Sequence, residues 1–407
     1  MKLLVLHPSS PAQFKEPVQW AVENDWDVKF ICQTHTGKAI KGVDKLKMTG
    51  VWGKKHLDEN KYKGFERIQH VSFQYRAAMN SLQEKGYIPD IILSHSGWGC
   101  GLFAKERWPS SKLITYFEWW YKRDSELYSH DPGNQWLRYS EEAIGELWRK
   151  NQSQSQEMAV ADQIVTPSYW QKSQLPEIFK AQALVINESI QKDIVDFKKT
   201  KKMESTISPK KKKQIKLTYG TRGLEPLRCF PQLINELPNI LNKYDNISVS
   251  IAGEDKVFYG GKLPKLNNTE LTWKEWALTK LKRKKLDHRV EFKGGLSREK
   301  YIEWLFSSDL HVYLTQPFVA SWSLKDAIYL NKTIIASDVP PVQEYCSYAG
   351  MALVDHRNPG FLIKALDRFA GSNRVIGTSH VPEELKGPKG AWADVLVGHP
   401  HTQHLTR

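Results

Sequence analysis

Short apolar runs rich in β-branched residues alternate along the chain with longer amphipathic stretches. In the first half the runs are residues 3–6, 28–32, 91–94, 113–117, 163–166 and 184–187. In the second they are 215–219, 247–252, 289–293, 310–314, 333–337 and 351–354. Most of them are continuously apolar and do not alternate, as expected of strands covered on both faces. Separated by helix-length segments, they predict parallel sheets flanked by helices. Two such series predict an α/β chain of two doubly wound, Rossmann-like domains. No residue-by-residue repeat relates the halves, so similar architecture is implied and duplication is not.

The boundary is set by polarity. Residues 192–214 are lysine-rich and contain Pro209, which suits an exposed linker. The expected organisation is a domain over 1–191, the linker over 192–214 and a second domain over 215–370. Residues 371–407 are rich in Gly, Pro and His with weak periodicity, so an irregular tail is expected. A long helix is expected over 141–150.

With 407 residues the chain exceeds one ordinary core. No run approaches the ~18–20 apolar residues of a membrane span. The N-terminus MKLLVLHPSSP reads as a first strand and is too short for a signal peptide. Four scattered cysteines form no CxxC pair, which implies neither a zinc site nor a disulfide framework. A soluble, cytoplasmic protein is expected. The net charge of +14 is local: the run from Lys198 to Lys213 sets eight lysines against one glutamate, and 280–289 sets six basic residues against one aspartate. The remainder is near neutral, so no nucleic-acid groove is expected. The first run could hold the protein weakly at the inner face of an anionic membrane; the alternative is a solvated linker.

Two segments carry the candidate chemistry. YGTRGLEPLRCF at 219–230 places Arg222 and Arg228 just past a strand. LHVYLTQPFVASWSLKD at 310–326 runs from a strand through a small polar turn into a helix bearing Asp326. Guanidinium forks and a helix N-terminus suit a diphosphate, and a carboxylate suits ribose hydroxyls. In the first half, His95 and Glu118 end consecutive strands, where α/β ligands bind. The turn GWGCG at 97–101 lacks the spacing of a dinucleotide fingerprint. No HExxH, P-loop or metal-clamp motif is visible, and Asp124 and Asp131 are not spaced as a metal pair, so no metal or other cofactor is expected.

In order along residues 1–365 stand PAQF (11–14), SHSGWGCGLF (94–103), YFEWWY (116–121), Asp131-Pro132, VTPSYWQ (165–171), YGTRGLEPLRCF, AGEDKVFYG (252–260) and HVYLTQPFVASWSLKDA (311–327). In order and spacing these segments resemble the retaining glycosyltransferases of family 4, in particular a bacterial subgroup with a dedicated N-terminal domain. The resemblance implies the GT-B fold, two Rossmann-like domains facing a central cleft. The chain departs from the family pattern at Ala12 and Cys229, where glycine is usual. It departs also at Cys100 and Asp326, where glutamate is usual, and no C-terminal helix is recognisable.

By the resemblance, Arg222 and Arg228 hold the donor diphosphate and stabilise the charge on the leaving group. Gly253, Glu254, Gly294, Phe318, Val319, Ser321, Ser323 and Asp326 line the donor site, Asp326 on the ribose. His95 and Glu118 are expected at the reacting sugar or acceptor hydroxyl, and Gly97, Trp98, Gly99, Trp119 and Trp120 on the acceptor side. For Trp119 and Trp120 core packing is the equal alternative. The implied activity is metal-independent, retaining transfer of a hexose from a UDP-, GDP- or ADP-sugar to a polysaccharide, glycolipid or lipid-linked acceptor, completed by domain closure. The alternatives are a degenerate nucleotide-sugar-binding paralogue and a nucleic-acid-binding protein.

Overall fold

The computed structural model describes residues 1–35, 39–201, 214–371 and 391–398. These fall into two compact units, one of residues 1–125, 139–189 and the helix Ala391–Val397, the other of residues 126–138 and 190–371.

The first unit is built on a seven-stranded parallel sheet. Its order is Val43–Lys47, Asp27–Cys32, Lys2–Leu6, Ile91–His95, Lys112–Tyr116, Gln163–Thr166 and Ala183–Val185. Side chains alternate across the pleat. Leu3 and Val5 therefore enter one buried core, with Phe14, Val18 and Trp392, while Leu4 and Leu6 enter the other, with Tyr75, Met79 and Leu113. The strand Val43–Lys47 is the edge strand that the pattern of apolar runs does not show. Its sequence VDKLK is half polar, none of its residues is buried, and Lys29 pairs with Asp44 beside it at 2.6 Å.

The second unit holds a six-stranded parallel sheet. Its order is Val290–Gly294, Ile247–Glu254, Ile215–Gly223, Leu310–Tyr313, Thr333–Ser337 and Met351–Val354. Chain order reverses at Ile215–Gly223, as in a doubly wound nucleotide-binding sheet, and places ligands at the carboxyl ends of the central strands. Leu217, Tyr219 and Ile251 fill one core, and Tyr313, Ile334 and Ala336 the other.

Three boundaries differ from expectation. Residues 192–200 are a helix, Lys192–Thr200, and not linker, because Ile194 and Phe197 form an apolar pair one turn apart that packs with Leu305 and Ile328. Only 202–213 of the lysine-rich run remain, outside the described residues. Lys198 is itself engaged, donating to the Tyr329 carbonyl at 2.5 Å with its ammonium 4.7 Å over that ring. Residues 126–138 join the second unit, held by Trp136 stacked edge-on to Trp273 at 5.3 Å. The expected irregular tail contains the helix Ala391–Val397, whose Trp392, Val395 and Leu396 are buried in the first unit's core. The rest of 372–407 is outside the described residues. No described helix is long and apolar enough to cross a membrane.

Candidate functional site

In the second unit, four neighbouring strand ends carry candidate residues: Gly294, then Gly253 and Glu254, then Arg222, then the loop after Tyr313. The strand Ile215–Gly223 runs into a single turn, Pro226–Arg228, and then the helix Phe230–Lys243. The turn folds Arg228 inward. It is 5% exposed, and its Nη1 donates to Thr315 Oγ1 at 2.8 Å and to the Val319 carbonyl at 3.0 Å. Its own carbonyl accepts from the Tyr219 hydroxyl at 2.6 Å. Both partners, one hydroxyl and one backbone carbonyl, are neutral, and no described carboxylate lies at ion-pair distance. A buried cation so placed retains most of its attraction for an anion.

Arg222 is exposed, with its guanidinium carbon 4.2 Å from the Phe258 ring centre. Arg228 lies 5.6 Å from the Tyr259 ring centre. Glu225, between the arginines in sequence, is buried and pairs with neither. Its Oε2 accepts from the backbone N–H groups of Phe258 and Tyr259, both at 2.9 Å. Burial pushes its carboxyl above the usual range. Gly223 lets this loop approach: a Cβ there would meet the Lys256 carbonyl at 2.3 Å and the Phe258 ring at 2.5 Å. A Cβ at Gly253 would meet the Thr221 carbonyl at 2.8 Å. Glu254 is exposed and pairs with Lys256 at 3.2 Å. Gly294 takes a left-handed φ of +67° with open space around it.

The loop after Tyr313 supports Arg228 from the other side. Phe318 is buried against the Tyr259 ring at 5.7 Å, and Val319 supplies the carbonyl already described. Ser321 caps the helix Trp322–Tyr329 by position, its N–H donating to the Tyr313 hydroxyl at 2.9 Å and its hydroxyl 2.5 Å from that of Ser323. Asp326 departs from expectation. It is 2% exposed, and Arg298 holds both of its carboxylate oxygens, with Asp193 as a second partner of the same guanidinium. Where a carboxylate on the ribose was expected, both oxygens are engaged in an ion pair.

In the first unit, His95 ends the strand Ile91–His95 and is buried. Its Nδ1 accepts from the Gly97 N–H at 3.2 Å, which assigns the neutral-state proton to Nε2. Nε2 faces Glu118 Oε2 at 3.4 Å, and the Glu118 side chain is 37% exposed. The imidazole thus stands beside a carboxylate whose side chain reaches solvent, without a hydrogen bond between Nε2 and the carboxylate among the described residues. Trp98, 45% exposed, stands 6.3 Å from His95, and Gly99 has φ +71°, where a Cβ would meet Ser153 Oγ at 3.0 Å. Trp119 and Trp120 are corrected to core residues. They are 5% and 7% exposed, Trp119 against Trp170 and Trp120 against Trp148 and Phe179, which leaves no face for a sugar ring.

Two neighbours of His95 escaped the sequence reading. His7 directly follows the adjacent strand Lys2–Leu6, 5.2 Å from His95; burial, then His95, holds its pKa well below the usual value. Its place after the first apolar run was the available signal. Glu157 is fully buried, accepts from Ser94 Oγ and from Thr115 Oγ1 at 2.6 Å, and is pushed up by burial. A lone glutamate in the polar helix Asn151–Val160 gives no such signal.

No curated protein sequence matches the chain. Among solved structures it is similar to E. coli trehalose-6-phosphate bound with UDP-2-fluoro glucose, at 10% identity and TM-score 0.64, covering 98% of each chain. It is similar to the catalytic domain of starch synthase IV from Arabidopsis thaliana bound to ADP and acarbose, at 10% identity and TM-score 0.61, covering 98% of this chain and 97% of that one. A glycosyltransferase from Rickettsia africae ESF-5 aligns at 13% identity and TM-score 0.57, over 97% and 93%. At such identity these likenesses establish the fold, which is GT-B. Residues 24–195 match the family model of the glycosyl transferase family 4 group.

Proposed function

We propose that the protein transfers a hexose, with retention, from a UDP-, GDP- or ADP-sugar to a polysaccharide, glycolipid or lipid-linked acceptor. The observation that carries this reading is Arg228, a buried guanidinium whose Nη1 donates to a hydroxyl and a carbonyl and to no carboxylate. Beside it, Arg222 has its charge over a ring and not on a carboxylate. Two such cations at the carboxyl ends of a doubly wound sheet suit a nucleoside diphosphate.

In this reading the arginines bind the diphosphate and stabilise the charge that grows on it as the glycosidic bond breaks. The N-terminus of Trp322–Tyr329 adds its dipole. The positive charge facing the leaving group is the protein's own, and no metal is assigned a role. His95 and Glu118 handle the acceptor or sugar hydroxyl, Glu118 as the end that takes the proton. Trp98 is the exposed ring on that side. The lysines of 202–213 and their neighbours would hold the protein weakly at an anionic membrane face. Two relatives of the same fold were solved with UDP-2-fluoro glucose and with ADP and acarbose, ligands of the class proposed.

The test is a thermal-shift screen against UDP, GDP, ADP and their hexose conjugates, with Arg222→Ala as control. A ligand at ~100 times its Kd adds about 2.7 kcal/mol of stability. A shift with one nucleotide, lost in Arg222→Ala, supports the reading; an equal shift in the variant removes the phosphate assignment. One observation favours a non-catalytic nucleotide-binding reading: Asp326 is locked by Arg298. Nucleotide binding with no turnover of any sugar conjugate would select it.

A further inference from the structure

Glu225 poses a physical question. It is a buried carboxylate within the electrostatic reach of both Arg222 and Arg228, yet it forms an ion pair with neither. Its Oε2 instead takes two backbone N–H groups, those of Phe258 and Tyr259. Its Oε1 is buried with no hydrogen-bond partner among the described residues. The effect is to fix one loop. The two residues whose backbone it grips are the two whose rings meet the arginines, Phe258 at 4.2 Å from Arg222 and Tyr259 at 5.6 Å from Arg228. Gly223 is part of the same device, since any side chain there would push Lys256 and Phe258 away.

A guanidinium carries its five N–H donors in its own plane and none on its faces. A ring beneath it occupies a face and attracts the cation, while the donor edges stay available. A carboxylate would occupy the edges, the part a phosphate needs. We infer that Phe258 and Tyr259 are positioning residues of the donor site: Glu225 fixes their loop, and their rings hold Arg222 and Arg228 without a carboxylate, so that the N–H donors of Arg222, and those of Arg228 not given to Thr315 and Val319, remain free for a diphosphate. This deepens the donor-site reading and rests on it. It gives the exposed Arg222 a fixed geometry without neutralising it, and so reduces the rotamer entropy lost on binding.

The experiment titrates the full chain with UDP, GDP, ADP and the matching nucleosides by calorimetry, in the wild type, Arg222→Ala, Phe258→Leu and Phe258→Trp. For the nucleotide that binds the wild type, Phe258→Leu should weaken affinity by about 3- to 30-fold. The nucleoside should bind the variant and the wild type alike, because it has no phosphate to read the arginine. Phe258→Trp, which keeps a ring, should restore the diphosphate affinity to within about 3-fold of wild type. Should Phe258→Leu fail to fold, Tyr259→Leu and Tyr259→Phe form the same pair at Arg228.

If Arg222→Ala loses affinity while Phe258→Leu and Tyr259→Leu do not, the rings have no positioning role and this inference is overturned. A loss that is equal for nucleoside and nucleoside diphosphate also overturns it, since that is the mark of general damage to the pocket. If Arg222→Ala binds as the wild type does, it is the phosphate reading itself that fails.

Discussion

Both carboxylate oxygens of Asp326 are held by the guanidinium of Arg298, which also reaches Asp193 at 3.1 Å. One arginine thereby ties three helices, Lys192–Thr200, Arg298–Phe306 and Trp322–Tyr329. Asp326 is almost wholly buried and Arg298 about one third exposed. Removing the carboxylate strands part of a buried charge. Asp326→Ala should cost on the order of 3 kcal/mol, at the lower end for a buried pair because Arg298 meets solvent and keeps Asp193. Denaturant unfolding measures the loss, and calorimetry with the nucleotide that binds measures the site. A variant of wild-type stability with weakened nucleotide binding would return Asp326 to the ribose.

Ala12 and Cys229 adopt left-handed backbone, with φ of +45° and +52°. They are also positions where the family pattern has glycine. An L-residue there costs about 1–2 kcal/mol, because its Cβ crowds the following carbonyl. Glycine removes that strain and gives back about 0.5–1 kcal/mol through its freer unfolded chain. Ala12→Gly should therefore stabilise the first unit by about 0.5–1 kcal/mol. Cys229→Gly should be nearly neutral, since it also empties the space of a fully buried thiol. A lower unfolding midpoint for Ala12→Gly than for wild type would contradict the strain argument.

These positions show where the sequence was legible. Buried parallel strands are continuous apolar runs, so every central strand could be read from runs such as 333–337 and 351–354. The edge strand Val43–Lys47 could not, because one of its sides has no neighbour to demand apolar residues. Arg222 and Arg228 could be picked out because strand ends are where such sheets bind ligands. Their surroundings could not. That Phe258 lies over Arg222, or that Arg298 claims Asp326 from 28 residues away, is a matter of tertiary packing with no local signature. Trp119 and Trp120 illustrate the same limit: an aromatic run reads alike as a sugar platform and as core.

Buried histidines should make the second unit acid-sensitive. Burial, then His130, lowers His356 to about 4, with Asp355 opposing and Arg357 assisting. Burial also lowers His311 to about 3. These folded values lie below the ordinary value near 6.5, so the unfolded chain takes up the proton first. The stability of the neutral native form is complete above about pH 6.5 and is lost as pH falls toward 4. Burial raises Glu225 and Asp326, which act in the opposite sense by gaining protons in the folded state first. Comparison with His356→Gln cancels them. Between pH 7 and pH 5 the stability of wild type relative to this variant should fall by roughly 2 kcal/mol. Urea unfolding at the two pH values measures it, and a difference that does not change with pH would mean that His356 is not held neutral.

The helix Ala391–Val397 is seven residues long, too short for periodicity to reveal and set in a stretch rich in Gly, Pro and His. Its stability therefore comes from packing and not from propensity. Trp392, Val395 and Leu396 enter the core formed by Leu3, Val18 and Ile114. At its C-terminal end the Lys112 ammonium donates to the Val395 carbonyl at 2.5 Å, a cation placed on otherwise unpaired helix carbonyls. If these contacts are part of the first unit's core, Trp392→Ala should cost it about 3–5 kcal/mol. Lys112→Met, which keeps the stem and removes the donor, should cost about 1 kcal/mol, since burial already makes that ammonium less easily charged. Both are read by thermal unfolding of the full chain, alongside a variant truncated after residue 371. A truncated protein that unfolds at the wild-type midpoint would show that the helix contributes nothing to the fold it covers.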